Sequence, residues 1–481
     1  MLLFGGVNEV NADPLTYEVV GDTVTIVSCD KKASGALVVP STYEGKPVTS
    51  IGGSAFYVCT SLTSVTIPDS VTSIGEDAFR GCSNLSSVWI PDSVTNIGNH
   101  AFAGCSSLTS MTIPDSVTSI GIRAFSGCSS LTSVTIGDSV TSIPWGAFAG
   151  CSSLTGVTFP GSLTSIGHLA FAGCRSLASM TFPDSLNDIA WGAFEGCSGL
   201  TSLTIPDSVT NIQGETFQGC SGLTSVIIPD SVTSIGNYAF NGCSSLTGVT
   251  IPDSVTSIGI NAFVGCSSLT SVTIGNSVTS IGNYAFYGCS SLTSLTIPDS
   301  VTRIGLWAFR RCSSLTSVTI SDSVTYIGEY AFSGCTSLTS VTIPDSVISI
   351  YNGAFEGCTS LKRITFGGDA PKLYGAKVFS KVSDNAKVFI NPDATGFGET
   401  FGGLPVIILK KLRINSFNNH AAPFSLSFES KSGETYKIEA SHDLKKWGEI
   451  GEVQGIGRVV EFTDWREALF QKQYYRVKLA E

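Results

Sequence analysis

Cysteine is the residue type whose spacing in this sequence could most readily support chemistry. Fourteen of the fifteen cysteines recur every 23 residues from Cys59 to Cys358, and Cys29 lies outside that register. If successive repeats stack as strands do, their thiols lie ~5 Å apart, within the Cα range of a disulfide. Parallel side chains do not bring Cβ atoms to the ~3.8 Å that a disulfide needs, and no Cys-x-x-Cys or Cys/His cluster favours a metal. The spacing therefore predicts a ladder of reduced, buried cysteines, with some disulfides or a metal site as the alternatives.

Aspartate forms a second periodic row, at one turn position of the repeat. Carboxylates ~5 Å apart repel each other by about 0.8 kcal/mol in water, and less in salt. A hydrogen bond within the turn can offset this repulsion, so the row predicts Asx-type turns. Calcium bridging adjacent repeats is the alternative, although Gly161 and Asn276 interrupt the row. The row consists of Asp69, Asp92, Asp115, Asp138, Asp184, Asp207, Asp230, Asp253, Asp299, Asp322 and Asp345.

The four histidines show no catalytic spacing. His100 and His168 occupy variable positions of the repeat, and His420 and His442 lie near the C-terminus. None has a Ser/Asp or Cys partner at a recognisable distance along the chain. Glycines occur singly in turns, so they form no phosphate-binding loop. The sequence therefore predicts a protein that is not an enzyme and needs no cofactor.

The elements that position these rows belong to one 23-residue repeat, seen at residues 62–84 as LTSVTIPDSVTSIGEDAFRGCSN. Leu62, Val65 and Ile67 have the spacing L-x-x-L-x-L, and the alternating V-T-I predicts a short strand. The Pro-Asp-Ser segment predicts a turn, and Ala-Phe with the following Cys predicts a compact helical or 3₁₀ turn. A fixed period of this length with this spacing is typical of a leucine-rich solenoid.

Fourteen copies run without insertion from Phe56 to Phe355. No copy can bury its apolar face alone, so the copies must stack, and fourteen coils give a rod or arc of roughly 65 Å. The pattern LTSVTIPDSVTSIGxxAFxGCSS resembles the BspA-like leucine-rich repeats of bacterial and protist surface proteins, over about Tyr17 to Phe366. This resemblance implies a secreted or cell-surface protein that binds proteins or matrix without catalysis.

Composition limits the partners. The formal net charge is −11, of which residues 404–481 contribute +2 and the remainder −13. An acidic repeat region argues against nucleic acid, which would need a basic stripe. No run of eighteen apolar residues is present, so no transmembrane segment is predicted. Residues 1–12 are interpreted as the remnant of a signal peptide, with an ordinary terminus as the alternative.

The segments that flank the array do not follow the regular 23-residue repeat. Residues 13–55 are interpreted as an N-terminal cap containing a hairpin, residues 56–360 as the regular repeats and residues 361–403 as a C-terminal cap. Residues 404–415 are interpreted as a linker. Residues 416–481 contain five strand-like segments and predict a small all-β domain, which resembles the C-terminal β domains that end many secreted bacterial proteins. The fold class is thus a β-solenoid of about fourteen coils followed by an all-β module.

The candidate binding residues occupy, or lie in the same coils as, the positions that the repeat leaves free between its Ser-Ile-Gly segment and its Ala-Phe pair. Aromatic residues with arginine are typical interface anchors, and rows of aromatic rings also suit sugars; the alternative is that the rings only stabilise the stack. Trp145 and Trp191 form a weaker second patch. The candidate ligand-binding residues are Tyr284, Trp307, Tyr330, Tyr238, Tyr287, Tyr326, Arg303, Arg310 and Arg311.

These features predict a non-catalytic, extracellular repeat protein that mediates adhesion by binding a protein or a glycan. A structural spacer of a surface layer or matrix is the alternative. A calcium-dependent or ice-binding scaffold is a third hypothesis. Ice binding would need regular rows of outward threonine, whereas outward positions here mix Ser, Thr and Gly, and Trp at Trp89. These residues are therefore interpreted as a solvated β face.

Overall fold

The computed structural model describes residues 13–409, 414–417, 424–441, 447–464 and 474–479. Residues 13–409 form a β-solenoid of about 16 turns, in which two parallel ladders of short strands run along the array. Fourteen regular coils are predicted from the sequence, and the structure adds turns at both ends. The predicted signal-peptide remnant at residues 1–12 lies outside the described residues.

The first ladder is built by the V-T-I part of each repeat, whose apolar residues point inward and whose threonines point outward. Paired strands of the regular coils align with the residue 23 positions later, as Ser110 pairs with Ser133, and the ladder is divided into six short sheets along the array. Its strands are Gly35–Val38, Leu62–Thr66, Ser87–Trp89, Ser110–Ile113, Ser133–Ile136, Gly156–Thr158, Ser202–Thr204, Ser225–Ile227, Gly248–Thr250, Ser271–Thr273, Ser294–Thr296, Ser317–Thr319, Ser340–Ile343, Arg363–Phe366 and Lys387–Ile390.

The second ladder is built by the Ser-Ile pair that follows the Pro-Asp-Ser turn. Its isoleucines are buried in the same core as the first ladder. Its strands are Lys46–Ile51, Ser73–Ile74, Asn96–Ile97, Ser119–Ile120, Ser142–Ile143, Ser165–Ile166, Asp188–Ile189, Asn211–Ile212, Ser234–Ile235, Ser257–Ile258, Ser280–Ile281, Arg303–Ile304, Tyr326–Ile327, Ser349–Ile350 and Lys372–Leu373.

The Ala-Phe segment closes each coil without a helix, which corrects the predicted helical or 3₁₀ turn. Its backbone amides alternate between two kinds of acceptor. The Ala78 and Cys82 amides donate within the turn to Gly75 and Phe79, whereas the Phe79 amide donates to the Ala101 carbonyl of the next coil. Because every second amide is used between coils, the successive local bonds of a helix cannot form. Throughout the described ranges, no segment is helical.

A column of phenylalanine rings runs through the core. Adjacent rings stack nearly parallel, with centroids from 4.7 Å at Phe56–Phe79 to 5.8 Å at Phe194–Phe217. The rings are fully buried. Their spacing is close to the ~4.8 Å between strands, so one residue type fits every coil without distorting the backbone.

The cysteine ladder lies beside these rings. All fifteen cysteines are buried free thiols, which confirms the predicted buried ladder. Each thiol from Cys82 to Cys358 donates to the carbonyl of the phenylalanine in the preceding coil: the Cys82 Sγ lies 3.0 Å from the Phe56 oxygen, and the Cys358 Sγ lies 3.2 Å from the Phe332 oxygen. The side chain therefore both fills space and satisfies a main-chain acceptor.

The Pro-Asp-Ser turn is closed by the main chain and by serine, and not by aspartate as predicted. The Val71 amide donates to the Pro68 carbonyl, and the Ser93 hydroxyl donates to the Val71 carbonyl of the previous coil. Where glycine replaces proline, the bonding changes. The Asp138 amide then donates to the Asp115 carboxylate at 3.0 Å, so the aspartate bridges coils instead of capping its own turn.

The second ladder is interrupted at two places. The repeat has glycine directly after the Ser-Ile pair, and the amide of this glycine donates to the preceding coil, as Gly98 does to Ile74. Pro144 stands at this position and has no amide hydrogen, and the ladder breaks between Ser119–Ile120 and Ser142–Ile143. It breaks again between Asp188–Ile189 and Asn211–Ile212, where Gln213 replaces the glycine.

The ends of the array are irregular. Leu15–Val20 and Thr23–Cys29 form the predicted antiparallel hairpin, and Thr42–Tyr43 pairs with the start of Lys46–Ile51. At the other end, Thr400–Phe401 pairs with Leu404–Ile408. This last segment, which the sequence assigned to a linker, is therefore a strand.

The C-terminal region contains two antiparallel sheets of three strands, which confirms the predicted all-β module. Their core is formed by Leu426, Phe428, Tyr436, Ile438 and Val460. In the first sheet Phe424–Glu429 lies between Ile414–Phe417 and Val459–Asp464; in the second, Thr435–Ser441 lies between Gly448–Gln454 and Tyr474–Leu479. None of the described residues belongs to a helix that is long and apolar enough to cross a membrane.

The close approach of coils at the glycine after Ser-Ile predicts a steric penalty. A Cβ on Gly98 would lie 2.5 Å from the Gly75 carbonyl carbon, which is backbone and cannot rotate away. We expect Gly98→Ala to lower the free energy of unfolding by roughly 1–3 kcal/mol. Gly156→Ala is the matched control, because nothing lies within 4 Å of its Cβ. Urea unfolding that does not distinguish the two variants would contradict this packing.

The buried thiols predict that stability falls in alkali. Burial raises the pKa of Cys151, Cys266 and Cys312 to about 12, whereas an unfolded thiol titrates near ~8.5. Because the folded-state pKa is the higher one, this stabilisation is complete below pH ~8.5 and is lost as the pH rises towards the folded value, by about 1.4 kcal/mol per pH unit for each thiol. Under reducing conditions, the melting temperature should be flat from pH 6 to 8 and fall steeply from 8.5 to 10.

The double variant Cys151→Ala, Cys266→Ala is the control for this pH dependence. It should melt lower at neutral pH, because alanine leaves cavities, but its melting temperature should fall less steeply with pH. A wild-type curve that stays flat to pH 10 would show that the ladder is not buried.

Candidate functional site

The free column of the repeat lies at a left-handed backbone position. The residue before the Ala-Phe pair has positive φ in nearly every coil, and three coils place glycine there, at Gly146, Gly192 and Gly353. A side chain at this position costs roughly 1–2 kcal/mol of backbone strain. The non-glycine members, with φ from 52 to 60°, are Ser54, Asp77, His100, Arg123, Leu169, Glu215, Tyr238, Asn261, Tyr284, Trp307 and Tyr330.

Three consecutive aromatic residues of this column form the centre of what we call the Trp307 cluster: Tyr284, Tyr287, Trp307, Arg310 and Tyr330. The Trp307 ring centroid lies 5.2 Å from that of Tyr284, 6.1 Å from that of Tyr287 and 5.5 Å from that of Tyr330. The Arg310 guanidinium lies 3.7 Å from the Trp307 centroid and 5.3 Å from that of Tyr330. The structure therefore brings five of the nine predicted residues into one contiguous surface.

The rings of the Trp307 cluster are half-buried, because they cover one another. Arg310 packs on the indole of Trp307, and the Asn352 amide nitrogen donates to the Tyr330 hydroxyl at 3.3 Å and to the Glu329 carboxylate at 3.3 Å. These contacts hold the side chains in fixed orientations. The surface consequently presents ring edges, hydroxyl groups and a guanidinium to solvent.

Arg311 lies beside this cluster at a strained position. It replaces the glycine of the Gly-Cys pair and keeps its left-handed backbone, with φ 63°. Its guanidinium lies 5.8 Å from the Tyr287 ring centroid, and the residue is exposed. It therefore adds a second positive charge at the edge of the Trp307 cluster.

Arg303 and Tyr326 belong to a different group, which we call the tyrosine stack: Tyr326, Tyr351 and Tyr374, with Arg303 and Lys372. Ring centroids are 4.6 Å apart at both tyrosine contacts. The Arg303 guanidinium lies 5.2 Å from the Tyr326 centroid, and the Lys372 amine lies 4.5 Å from the Tyr374 centroid. Burial raises the pKa of Tyr326, and Tyr351 and Glu329 add to the rise while Arg303 opposes it.

Sequence reasoning missed Tyr351, Tyr374 and Lys372. Tyr351 occupies the repeat's glycine position and Tyr374 lies 23 residues later, in a segment interpreted as a cap. The shared 23-residue spacing was the available signal.

Tyr238 is not part of either group. It lies in the free column two coils before Tyr284, with Asn261 between them, and 37% of its surface is exposed. The Tyr238 ring contacts no other aromatic ring within residues 13–409. Tyr238 therefore lies apart from the Trp307 cluster and the tyrosine stack, and its part in binding stays a prediction.

Trp145 and Trp191 form the predicted second patch only loosely. Their exposed fractions are 43% and 39%, and Ile122 in the same column is 38% exposed. The Arg123 guanidinium lies 4.4 Å from the Trp145 ring. His168 separates the two indoles along the column, and no contact between them is described in this part of the chain.

Positive charge is concentrated where the Trp307 cluster and the tyrosine stack lie. No lysine or arginine occurs between Arg175 and Arg303, whereas nine occur in residues 303–387 against six acidic residues. The last coils are thus basic, whereas the array as a whole is acidic.

The described residues contain no group of three or more His, Cys, Asp or Glu placed to hold a metal ion.

Comparison with known proteins identifies the repeat. The family described as BspA type leucine-rich repeat region matches residues 49–178, 141–270 and 256–386, in 6 copies. A leucine-rich repeat protein from Bacteroides ovatus ATCC 8483 is 32% identical with a TM-score of 0.64, and the match covers 83% of this chain and 99% of that one.

A leucine rich cell surface protein from Faecalibacterium prausnitzii A2-165 is 27% identical with a TM-score of 0.38, covering 80% of this chain and 94% of the other. No curated protein matches. Because the family matches well over half of the sequence, in register with the coils described above, this chain belongs to the BspA-type leucine-rich-repeat family.

Proposed function

We propose that the chain is a non-catalytic, secreted or cell-surface protein that mediates adhesion, and that its Trp307 cluster binds a protein or glycan partner. The observation that carries this proposal is the packing of Tyr284, Tyr287, Trp307 and Tyr330 around Arg310 on the surface of the array. Membership of a repeat family supports a scaffold role, and the extracellular location rests on the resemblance to surface proteins.

The residue types of this cluster suit an interface. Tryptophan, tyrosine and arginine are the residues most enriched among those that dominate binding energy. Side chains that are already ordered lose little conformational entropy when a partner binds. Here Arg310 and the Asn352 hydrogen bond supply that order before binding.

Electrostatics favours an acidic group on the partner. Arg310 and Arg311 follow Arg303 closely in the chain. The stretch of more than a hundred residues between Arg175 and Arg303 contains no lysine or arginine. A partner carboxylate or sulfate would meet guanidinium groups here and carboxylates elsewhere on the array. Binding should therefore weaken as ionic strength rises.

One observation favours the second candidate, a structural spacer. The rings of the Trp307 cluster stack mainly on one another, so part of their surface stabilises adjacent coils. About 16 turns at ~4.8 Å each also provide a rigid element of roughly 75 Å. The two functions predict different results when the rings are removed.

The deciding variant is the triple substitution Tyr284→Gly, Trp307→Gly, Tyr330→Gly. Glycine is the appropriate replacement because the same column already carries it at Gly146, Gly192 and Gly353, and because it relieves the positive φ. The full chain should bind an immobilised matrix protein or polysaccharide saturably, and the triple variant should bind at least tenfold more weakly. Tyr238→Gly is the matched control, with the same backbone change outside the cluster.

Melting temperatures must be measured for all three proteins. If a folded triple variant binds as tightly as wild type, or if the wild-type chain binds none of the proteins and polysaccharides, the adhesion proposal fails. Loss of binding in the Tyr238→Gly control as well would show a general effect on the array. In that case the rings are structural and the spacer function is preferred.

A further inference from the structure

Trp89 interrupts the outward threonine column of the first ladder. Strand pairing places it level with Thr66, and the column continues through Thr112, Thr135 and Thr158. Its exposed fraction is 62%, the highest of any aromatic side chain in the described residues. Unlike the rings of the Trp307 cluster, it contacts no other ring among them, so its indole remains available to a ligand.

A groove of about 390 Å³ lies next to this indole. Its lining includes Thr112, Thr135 and Thr158, together with Asp92, Asp115 and Asp138. Its volume is within the range of small-ligand sites. We call this surface the Trp89 groove.

Gly137 gives the groove its shape. The coils on either side place Pro114 and Pro160 at this position, and Gly137 has no ring to project there. Its main chain lies so close to the preceding coil that a Cβ would be 2.5 Å from the Pro114 carbonyl carbon. The turn is held by the Asp138 amide, which donates to the Asp115 carboxylate at 3.0 Å. The same turn recurs at Gly275, where the Asn276 amide donates to the Asp253 carboxylate at 2.7 Å, so Trp89 is the residue that distinguishes the groove.

The polar groups of the groove are acceptors of hydrogen bonds. Its three carboxylates are exposed, and its threonines add hydroxyl groups. No lysine or arginine lines it. Such a surface repels sulfated or uronic sugars and suits a ligand that has many hydroxyl donors and an apolar face.

We propose that the Trp89 groove binds a neutral glycan, with one pyranose ring packed on the indole and neighbouring hydroxyl groups donating to Asp92, Asp115 and Asp138. Packing of sugar C–H groups on an aromatic face and a few directional polar contacts are the components of such a site. The site does not depend on the Trp307 cluster, from which it is separated by roughly nine coils, or about 43 Å.

The aspartate carboxylates alone do not make the Trp89 groove a specific site for a basic peptide. The aspartate row continues along the array, for example at Asp207, Asp230 and Asp253. A lysine-rich peptide would find similar carboxylates at all of these coils. The groove adds an exposed indole beside a concavity to these carboxylates, and this combination favours a sugar ring.

The test uses the full chain and calorimetric titration with neutral hexasaccharides of β-linked glucose, mannose and xylose, beside hexa-arginine and a sulfated polysaccharide. At least one neutral hexasaccharide should bind saturably. Trp89→Thr restores the residue of the neighbouring coils and should weaken that binding at least tenfold without lowering the melting temperature. Ile227→Thr is the matched control, because Ile227 occupies the same column and is 60% exposed but lies outside the groove.

The triple glycine variant of the Trp307 cluster should bind the neutral hexasaccharide as wild type does, which separates this site from the adhesion proposal. The proposal is overturned if none of the neutral hexasaccharides binds, or if Trp89→Thr binds as tightly as wild type. It is also overturned if hexa-arginine is the probe whose binding depends on Trp89, because the groove then recognises a basic peptide.

Discussion

Each coil of this solenoid depends on its neighbours for its backbone hydrogen bonds. In the Ala-Phe turn, every second amide donates to the next coil, and in the regular coils the ladder strands pair with strands 23 residues away. No single coil can therefore satisfy its own polar groups, and the array forms by stacking. The stacked phenylalanines and the thiols bonded to phenylalanine carbonyls follow from the same spacing, because one residue type fits all coils once the coils are in register.

The proposed functional surfaces lie where the sequence departs from its repeat. The Trp307 cluster uses positions that the stack leaves free, although their left-handed backbone favours glycine. The Trp89 groove uses one outward threonine replaced by tryptophan and one turn proline replaced by glycine. The substitution by glycine adds an inter-coil bond, from the Asp138 amide to the Asp115 carboxylate. A scaffold of this kind can carry several binding sites without loss of its fold.

The sequence predicted the features that depend on periodicity, and it failed where local chemistry competes with stacking. The buried thiols, the ladders and the five C-terminal strands follow from period and alternation. The turn after Gly75 resembles a helix in sequence, but inter-coil bonds take the amides that a helix needs. The aspartate turns were wrong because the main-chain bond from the Val71 amide to the Pro68 carbonyl closes the turn without the aspartate side chain. Tyr326 was grouped with Trp307, because sequence spacing does not show that its ring stacks on Tyr351.

The dependence on register is tested most directly by removing one coil. Deleting residues 245–267 joins Ser244 to Ser268 and preserves the repeat, whereas deleting residues 245–266 leaves one extra residue and shifts every later coil. Thermal unfolding followed by circular dichroism should show a melting temperature within a few degrees of wild type for the first deletion, and a large loss of stability for the second. Equal stability of the two proteins would contradict the account that inter-coil register holds this fold together.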